Sequence, residues 1–322
     1  MTRTHAFPLL APCLLIAVHL VAVSGCSSPG SGSGTEGTSS SAVRPEASGA
    51  YLGQSPPGLT PEVFAPGIVS RVDTSDGCSA VSPEAGVFLF NRYMPDTPYS
   101  LYLTELRDGA WIEPAPAPFN SEYDDWDSNI APDGRTFYFT SRRPSIIGGQ
   151  PATSSNIWVA NLTSTGWTEP RVLEYPVNTV DGWSGHPSVT RNGTIYFHGG
   201  REGEEGDIYR ARRVDGEYPE LERLDAPVNS ALGDIDPCIA PDEGFLVYLS
   251  GEPRDLHITF RSEDGSWDQP TRLPEDLSGA CPTITPDGRY FFFTKRVDEN
   301  VDIFWVDAEV LQQFRPEAQS RR

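Results

Sequence analysis

Cys78, Asp127, His186, Asp236 and Cys281 share one offset in the chain, each five residues ahead of a turn. The turns are Pro83-Glu84-Ala85, Pro132-Asp133-Gly134, Arg191-Asn192-Gly193, Pro241-Asp242-Glu243 and Pro286-Asp287-Gly288. If the shared offset means a shared place in a repeated fold, two carboxylates and an imidazole converge there. Such a set offers three chemistries. It can hold a divalent metal, it can hydrolyse a glycosidic bond between two carboxyl groups about 5 Å (retaining) to roughly 9.5 Å (inverting) apart, or it can be a solvated polar ring. Trp126 and Trp183 stand close by in sequence, where an indole can stack on a sugar or a peptide side chain. Asp125 and Asp234 lie two residues before Asp127 and Asp236.

The elements that must position these residues are legible from the repeat itself. Pro presets φ, and Gly accepts the left-handed geometry that closes a hairpin, so each turn joins a first strand to a second. Phe137-Tyr138-Phe139 puts aromatic side chains on both faces of a strand, which demands cover on both sides of the sheet. A third strand recurs at Ser100–Thr104, Asn156–Ala160, Asp207–Ala211, Asp255–Thr259 and Asp302–Val306, and a fourth begins at Trp111, Trp167, Tyr218 and Trp267. The interval of about 50 residues is that of a propeller blade, a unit that buries its faces only by stacking on its neighbours. The fold expected is therefore all-β, a single β-propeller of five four-stranded blades, with six blades as the alternative. The last blade lacks a fourth strand, and Pro61-Glu62-Val63-Phe64-Ala65-Pro66 near the start, which repeats the fourth-strand pattern Glu169-Pro170-Arg171-Val172-Leu173, has no first three. This segment is expected to complete the last blade and close the ring, which removes an exposed edge. Innermost strands line the central channel, so Asp127, His186 and Asp236 are expected at its water-filled mouth, where charge is tolerated.

Residues 1–25 combine Arg3 with the apolar run from Leu9 to Val23, interrupted by Pro12 and His19, and read as an export signal rather than a retained membrane helix. Residues 26–50 are rich in Ser, Gly and Thr and read as a flexible tether. The propeller is assigned to 51–307, and 308–322 to a polar C-terminal tail. The formal net charge of −21 excludes nucleic acid as a partner and disfavours electrostatic adhesion to anionic lipid. Of five cysteines, Cys13 departs with the signal and Cys26 lies at its end. One bridge at most can form among Cys78, Cys238 and Cys281. Blades 1 and 5 are neighbours in a five-membered ring, so Cys78 can pair with Cys281, with Cys238–Cys281 as the competitor. The ring residues come from separate blades without compact metal spacing, so no cofactor is expected, a divalent metal at Asp127, His186 and Asp236 being the alternative.

Val23-Ser24-Gly25-Cys26 resembles a bacterial lipobox, which implies cleavage before Cys26 and its lipidation. Ser27 and Ser28 then imply the outer membrane, if the host is Gram-negative. The repeated pattern from Asp127 through Pro132-Asp133-Gly134 and Asn156-Ile157-Trp158 to Gly166-Trp167-Thr168-Glu169-Pro170 resembles the WD-like propeller repeat of the TolB type over Tyr51 to Asp307. The segment Tyr51 to Gly67 also resembles the start of a group of bacterial exported proteins built from that repeat. TolB proteins carry six blades and a separate partner-binding domain, which this chain does not match, so the resemblance implies the fold and not the TolB role. Two functions follow as expectations. One is a membrane-anchored, extracytoplasmic, non-catalytic module that binds an envelope protein or a glycan through Trp126, Asp127, Trp183, His186 and Asp236. The other is a glycan-directed hydrolase using Asp127 and Asp236.

Overall fold

The computed structural model describes residues 48–71, 73–152, 154–201 and 204–317. The expected signal peptide, most of the tether and the lipidation site Cys26 lie outside them. The described chain forms five antiparallel blades of the expected make-up and a separate two-stranded hairpin of Ser145–Ile147 and Gln150–Ala152, and the alternative of six blades is excluded. Blade 1 runs outward through Ser75–Ser82, Val87–Tyr93, Ser100–Arg107 and Ala115–Pro116, and blade 2 through Asp125–Ile130, Thr136–Ser141, Asn156–Thr163 and Arg171–Val172. Blade 3 comprises Gly182–Val189, Ile195–Arg201, Asp207–Ala211 and Glu222–Arg223, and blade 4 Ile235–Ile239, Phe245–Ser250, Asp255–Phe260 and Thr271–Arg272. Blade 5 takes Ala280–Ile284, Tyr290–Val297 and Asn300–Asp307, and its outermost strand is Glu62–Val63 from the start of the domain. Innermost strands contact one another in a closed circuit from blade 1 through blade 5 and back.

The fourth strands of blades 1 and 2 begin at Trp111 and Trp167 as expected, in short pairings against the end of the third strand, and the outer edge continues a few residues later at Ala115–Pro116 and Arg171–Val172. Pro residues around these segments leave only two ladder positions each, which suits an outer edge that must not recruit another strand.

Five hydrophobic clusters fill the five interfaces between blades, as two-faced sheets require. Phe137, Phe139 and Trp158 of blade 2 pack on Leu89 and Leu103 of blade 1, while Tyr138 and Val159 point the other way onto Ile195 and Phe197 of blade 3. The closing interface is the most aromatic. Phe64, fully buried, lies 4.7 Å from Phe88, 5.2 Å from Phe292 and 5.1 Å from Trp305, measured between ring centroids. Tyr51 joins Tyr290 and Trp305 in the same cluster. The chain beyond Asp307 departs from a purely polar tail: Ala308–Phe314 forms a 3-10 helix capped by Asp307, and Val310 and Leu311 are buried in the interface between blades 4 and 5.

Candidate functional site

Each innermost strand carries a β-bulge at the same point, between Gly77 and Ala80, Trp126 and Asn129, Gly185 and Ser188, Ile235 and Cys238, and Ala280 and Thr283. The first bulged residue is in every case the one that shares the sequence offset. All five adopt the left-handed backbone conformation, with φ of 45° at Cys78, 52° at Asp127, 46° at His186, 53° at Asp236 and 48° at Cys281. A non-glycine residue held there costs on the order of 1 kcal/mol and persists only where its surroundings over-determine it.

Those surroundings are a set of polar side chains on second strands, each holding the ring residue of the next blade. Asn91 Oδ1 accepts the Asp127 backbone N–H at 3.2 Å, and Thr140 Oγ1 that of His186 at 3.1 Å. His198 Nδ1 accepts the Asp236 N–H at 2.9 Å, and Thr294 Oγ1 that of Cys78 at 3.2 Å. Gly185 stands where a Cβ would come within 2.8 Å of His198 Nε2, so that approach requires glycine.

The bulges turn all five side chains toward the axis, where they meet. Cys78 and Cys281 form the disulfide, with 4.9 Å between Cα atoms, and Cys238, the competing partner, is free and buried. A carboxylate oxygen of Asp127 lies within 4.8 Å of both bridged sulfurs. His186 Nδ1 stands 3.4 Å from Asp127 Oδ1 and 3.7 Å from Asp236 Oδ1. Its Nε2 is 3.3 Å from the carbonyl oxygen of Pro282, a contact from blade 3 to blade 5 that crosses the axis. Only a donor satisfies that carbonyl, so Nε2 carries a proton. A bare Nδ1 would then aim its lone pair at two carboxylates, and the arrangement is favourable only for the imidazolium. Burial works against that charge, but Asp236 and Asp127 together outweigh it and raise the His186 pKa to about 9. Burial likewise opposes ionisation of Asp236, and the His186 charge overcomes it and holds this carboxyl below its usual range.

The convergence of Asp127, His186 and Asp236 is as expected, but their solvation is not. All three are buried, at 3 to 4% exposure, and the reason is that the charges neutralise one another across the axis instead of facing water. The two carboxylates, from nonadjacent blades, also approach more closely than blade order suggests, since one imidazole nitrogen meets both. The imidazole occupies the space between them, where a glycosidase needs its sugar. Asp125 and Asp234 do not join the ring. Asp125 pairs with Arg143 at 2.7 Å, and its other oxygen accepts the Ser121 N–H, while Asp234 accepts that of Ser230.

Trp126 and Trp183 are half-buried in the mouth loops. The Arg142 guanidinium lies 5.5 Å above the Trp126 ring, and Tyr99 of blade 1 meets its edge at 6.4 Å. Tyr99 in turn contacts Tyr93, whose hydroxyl is 3.5 Å from Cys78 Sγ. An aromatic line thus runs from the axial ring to the mouth. At this end of the blades Met94, Tyr123, Tyr175, Val180 and Leu232 are exposed in loops, Ile146 in a short hairpin strand and Val297 at the end of a second strand. Val214 and Leu221 are exposed at the opposite end of blade 3.

Asn91, Thr140, His198 and Thr294 escape notice in the sequence because they stand in strands dominated by core aromatics. Their signal is a polar residue that directly follows the aromatic run of a second strand, as in Phe90-Asn91, Phe139-Thr140, Phe197-His198 and Phe293-Thr294.

No family model matches the chain, and no curated protein does. Among solved structures, a TolB from Agrobacterium tumefaciens is 18% identical over 70% of this chain and 72% of its own, with a TM-score of 0.43. A TolB from Acinetobacter baumannii is 15% identical over 74% of this chain and 53% of its own, with a TM-score of 0.44. The endo-arabinanase GH43 from Bacillus licheniformis is 14% identical over 74% and 95%, also at 0.44. Likeness this distant carries no argument about activity, and the architecture rests on the five sheets described above.

Proposed function

We propose that this chain is a non-catalytic binding module of the cell envelope, tethered through a lipid on Cys26 and engaging an envelope protein or a glycan with its mouth face. One observation supports the choice of face: seven large apolar side chains are exposed at this end of the blades, where Trp126 and Trp183 are half-buried. Exposed apolar groups gathered at one end of a folded domain mark an interaction surface, and aromatics suit either a sugar ring or a peptide side chain. Trp126 and Trp183 are the direct contacts in this reading, and Asp127, His186 and Asp236 form the floor beneath them. No helix among the described residues is long and apolar enough to cross a membrane. The hydrolase reading has less support, because its two carboxylates are buried against one imidazole. The test is a screen of the unlipidated domain against polysaccharides and envelope extracts, with both retention and product release measured. Retention that is weakened by Trp126→Ala or Trp183→Ala, without new reducing ends, is expected. Product release abolished by Asp127→Asn would overturn the reading in favour of hydrolysis.

A further inference from the structure

Cys78, Cys281 and Asp127 bring two sulfurs and a carboxylate oxygen within 4.8 Å of one another, from three consecutive blades, 5, 1 and 2. All three residues are buried. Each occupies a bulge, and two of the three backbones are fixed from outside: Thr294 holds Cys78, whose carbonyl also accepts the Ser128 hydroxyl at 3.2 Å, and Asn91 holds Asp127. The Cys78 and Asp127 donor atoms are therefore placed by the fold and not by the sulfur–sulfur bond alone. Beside them, the buried His186 Nδ1 makes no hydrogen bond in proper geometry although it faces Asp127. We propose that, when Cys78 and Cys281 are thiols, the axial ring is a binding site for a thiophilic divalent cation such as Zn2+, with both sulfurs and Asp127 as ligands.

The donor set selects the metal. Two thiolates with one carboxylate suit Zn2+ or Co2+ and not Mg2+ or Ca2+, which take oxygen ligands. Three protein ligands leave one position open for water or a fourth donor. In the binding step two S–H bonds break, two metal–sulfur bonds form and two protons pass to solvent, with no change of oxidation state. Charge favours the step. Two thiolates beside two carboxylates and one imidazolium cannot be buried without a further cation, so the thiols ionise only as the metal arrives. In the disulfide form the same sulfurs are bonded to each other and the site is absent.

The experiment uses the full chain carrying Cys13→Ser, Cys26→Ser and Cys238→Ala, so that only Cys78 and Cys281 remain, prepared without export and kept under a phosphine reductant. Titration with Co2+ should produce a thiolate-to-metal charge-transfer band and tetrahedral ligand-field bands that saturate at one ion per chain and vanish on addition of Zn2+. Asp127→Asn should weaken Co2+ binding at least tenfold, and the oxidised chain should show neither band. Zn2+ should also slow alkylation of the two thiols at least tenfold, a measurement that needs no further variant. Loss of folded structure on reduction, restored by Zn2+, would count equally in favour. Absence of the charge-transfer band at saturating Co2+, alkylation indifferent to Zn2+, or a reduced chain that unfolds and is not rescued by Zn2+ would each overturn the proposal.

Discussion

Raising the pH should destabilise the disulfide-bonded protein through one residue, His186. Its folded-state pKa of about 9 lies above the ordinary value of about 6.5 for an unfolded chain. The folded state therefore binds the proton more tightly. The resulting stability is fully present below about pH 6.5 and is lost as the pH climbs through about 9. The difference between these values corresponds to about 3 kcal/mol, a large part of the stability of an ordinary domain. Asp236 is shifted in the opposite sense, so its contribution is present above the ordinary carboxylate pKa and is lost only in acid. Stability should peak between the two limits. The assay is denaturant unfolding from pH 5 to 10 at fixed ionic strength, on the wild type and on His186→Gln. At pH 6 the variant should be less stable by about 3 kcal/mol, because two buried carboxylates lose their cation, and the gap should close toward pH 10. Parallel pH profiles for the two proteins would refute the reasoning, as would an imidazole resonance of His186 that titrates near 6.5.

Three further outcomes follow from the closure of the ring and from the anchor. Deleting 51–72 removes no complete blade but strips Phe64 and Tyr51 from the closing interface. Thermal unfolding should fall sharply, Phe64→Ala alone should cost about 3 to 5 kcal/mol, and a deleted chain that melts within a few degrees of the parent would contradict the closure. Cys281→Ser opens a loop closed across 203 residues and should lower stability by up to about 5 kcal/mol in the chain-entropy view, read by denaturant midpoint in the absence of metal. Cys26→Ser should abolish lipid labelling and membrane fractionation while circular dichroism stays that of the folded propeller, and a variant still found with membranes would speak for a retained helix.

The blade count and the closing role of the segment from Pro61 to Pro66 were legible because they follow from repeat spacing and ring order, which a sequence displays directly, whereas ring order alone left Cys238–Cys281 open beside Cys78–Cys281 because both join adjacent blades. The common register of the five axial residues was legible for the same reason. Their burial was not. A strand register says which side chains face the axis but not how far apart they stand, and the radius depends on the bulges, which add one residue to each innermost strand without any distinctive residue type. The polar supports at Asn91, Thr140, His198 and Thr294 were hidden because they act on the next blade, a relation that exists only once the sheets are stacked.

The mouth face as the binding surface is tested most directly by comparing two surface variants in one retention assay on immobilised envelope extract and glycans. Ile146→Ser, Tyr175→Ser and Leu232→Ser alter exposed side chains at the mouth, and Val214→Ser with Leu221→Ser does so at the opposite end. All are exposed, so each combined variant should remain within about 1 kcal/mol of the parent in stability. The mouth variant should lose at least tenfold in affinity for whatever the parent retains, and the other should bind as the parent does. Equal binding by the mouth variant, or loss confined to the opposite end, would contradict the account.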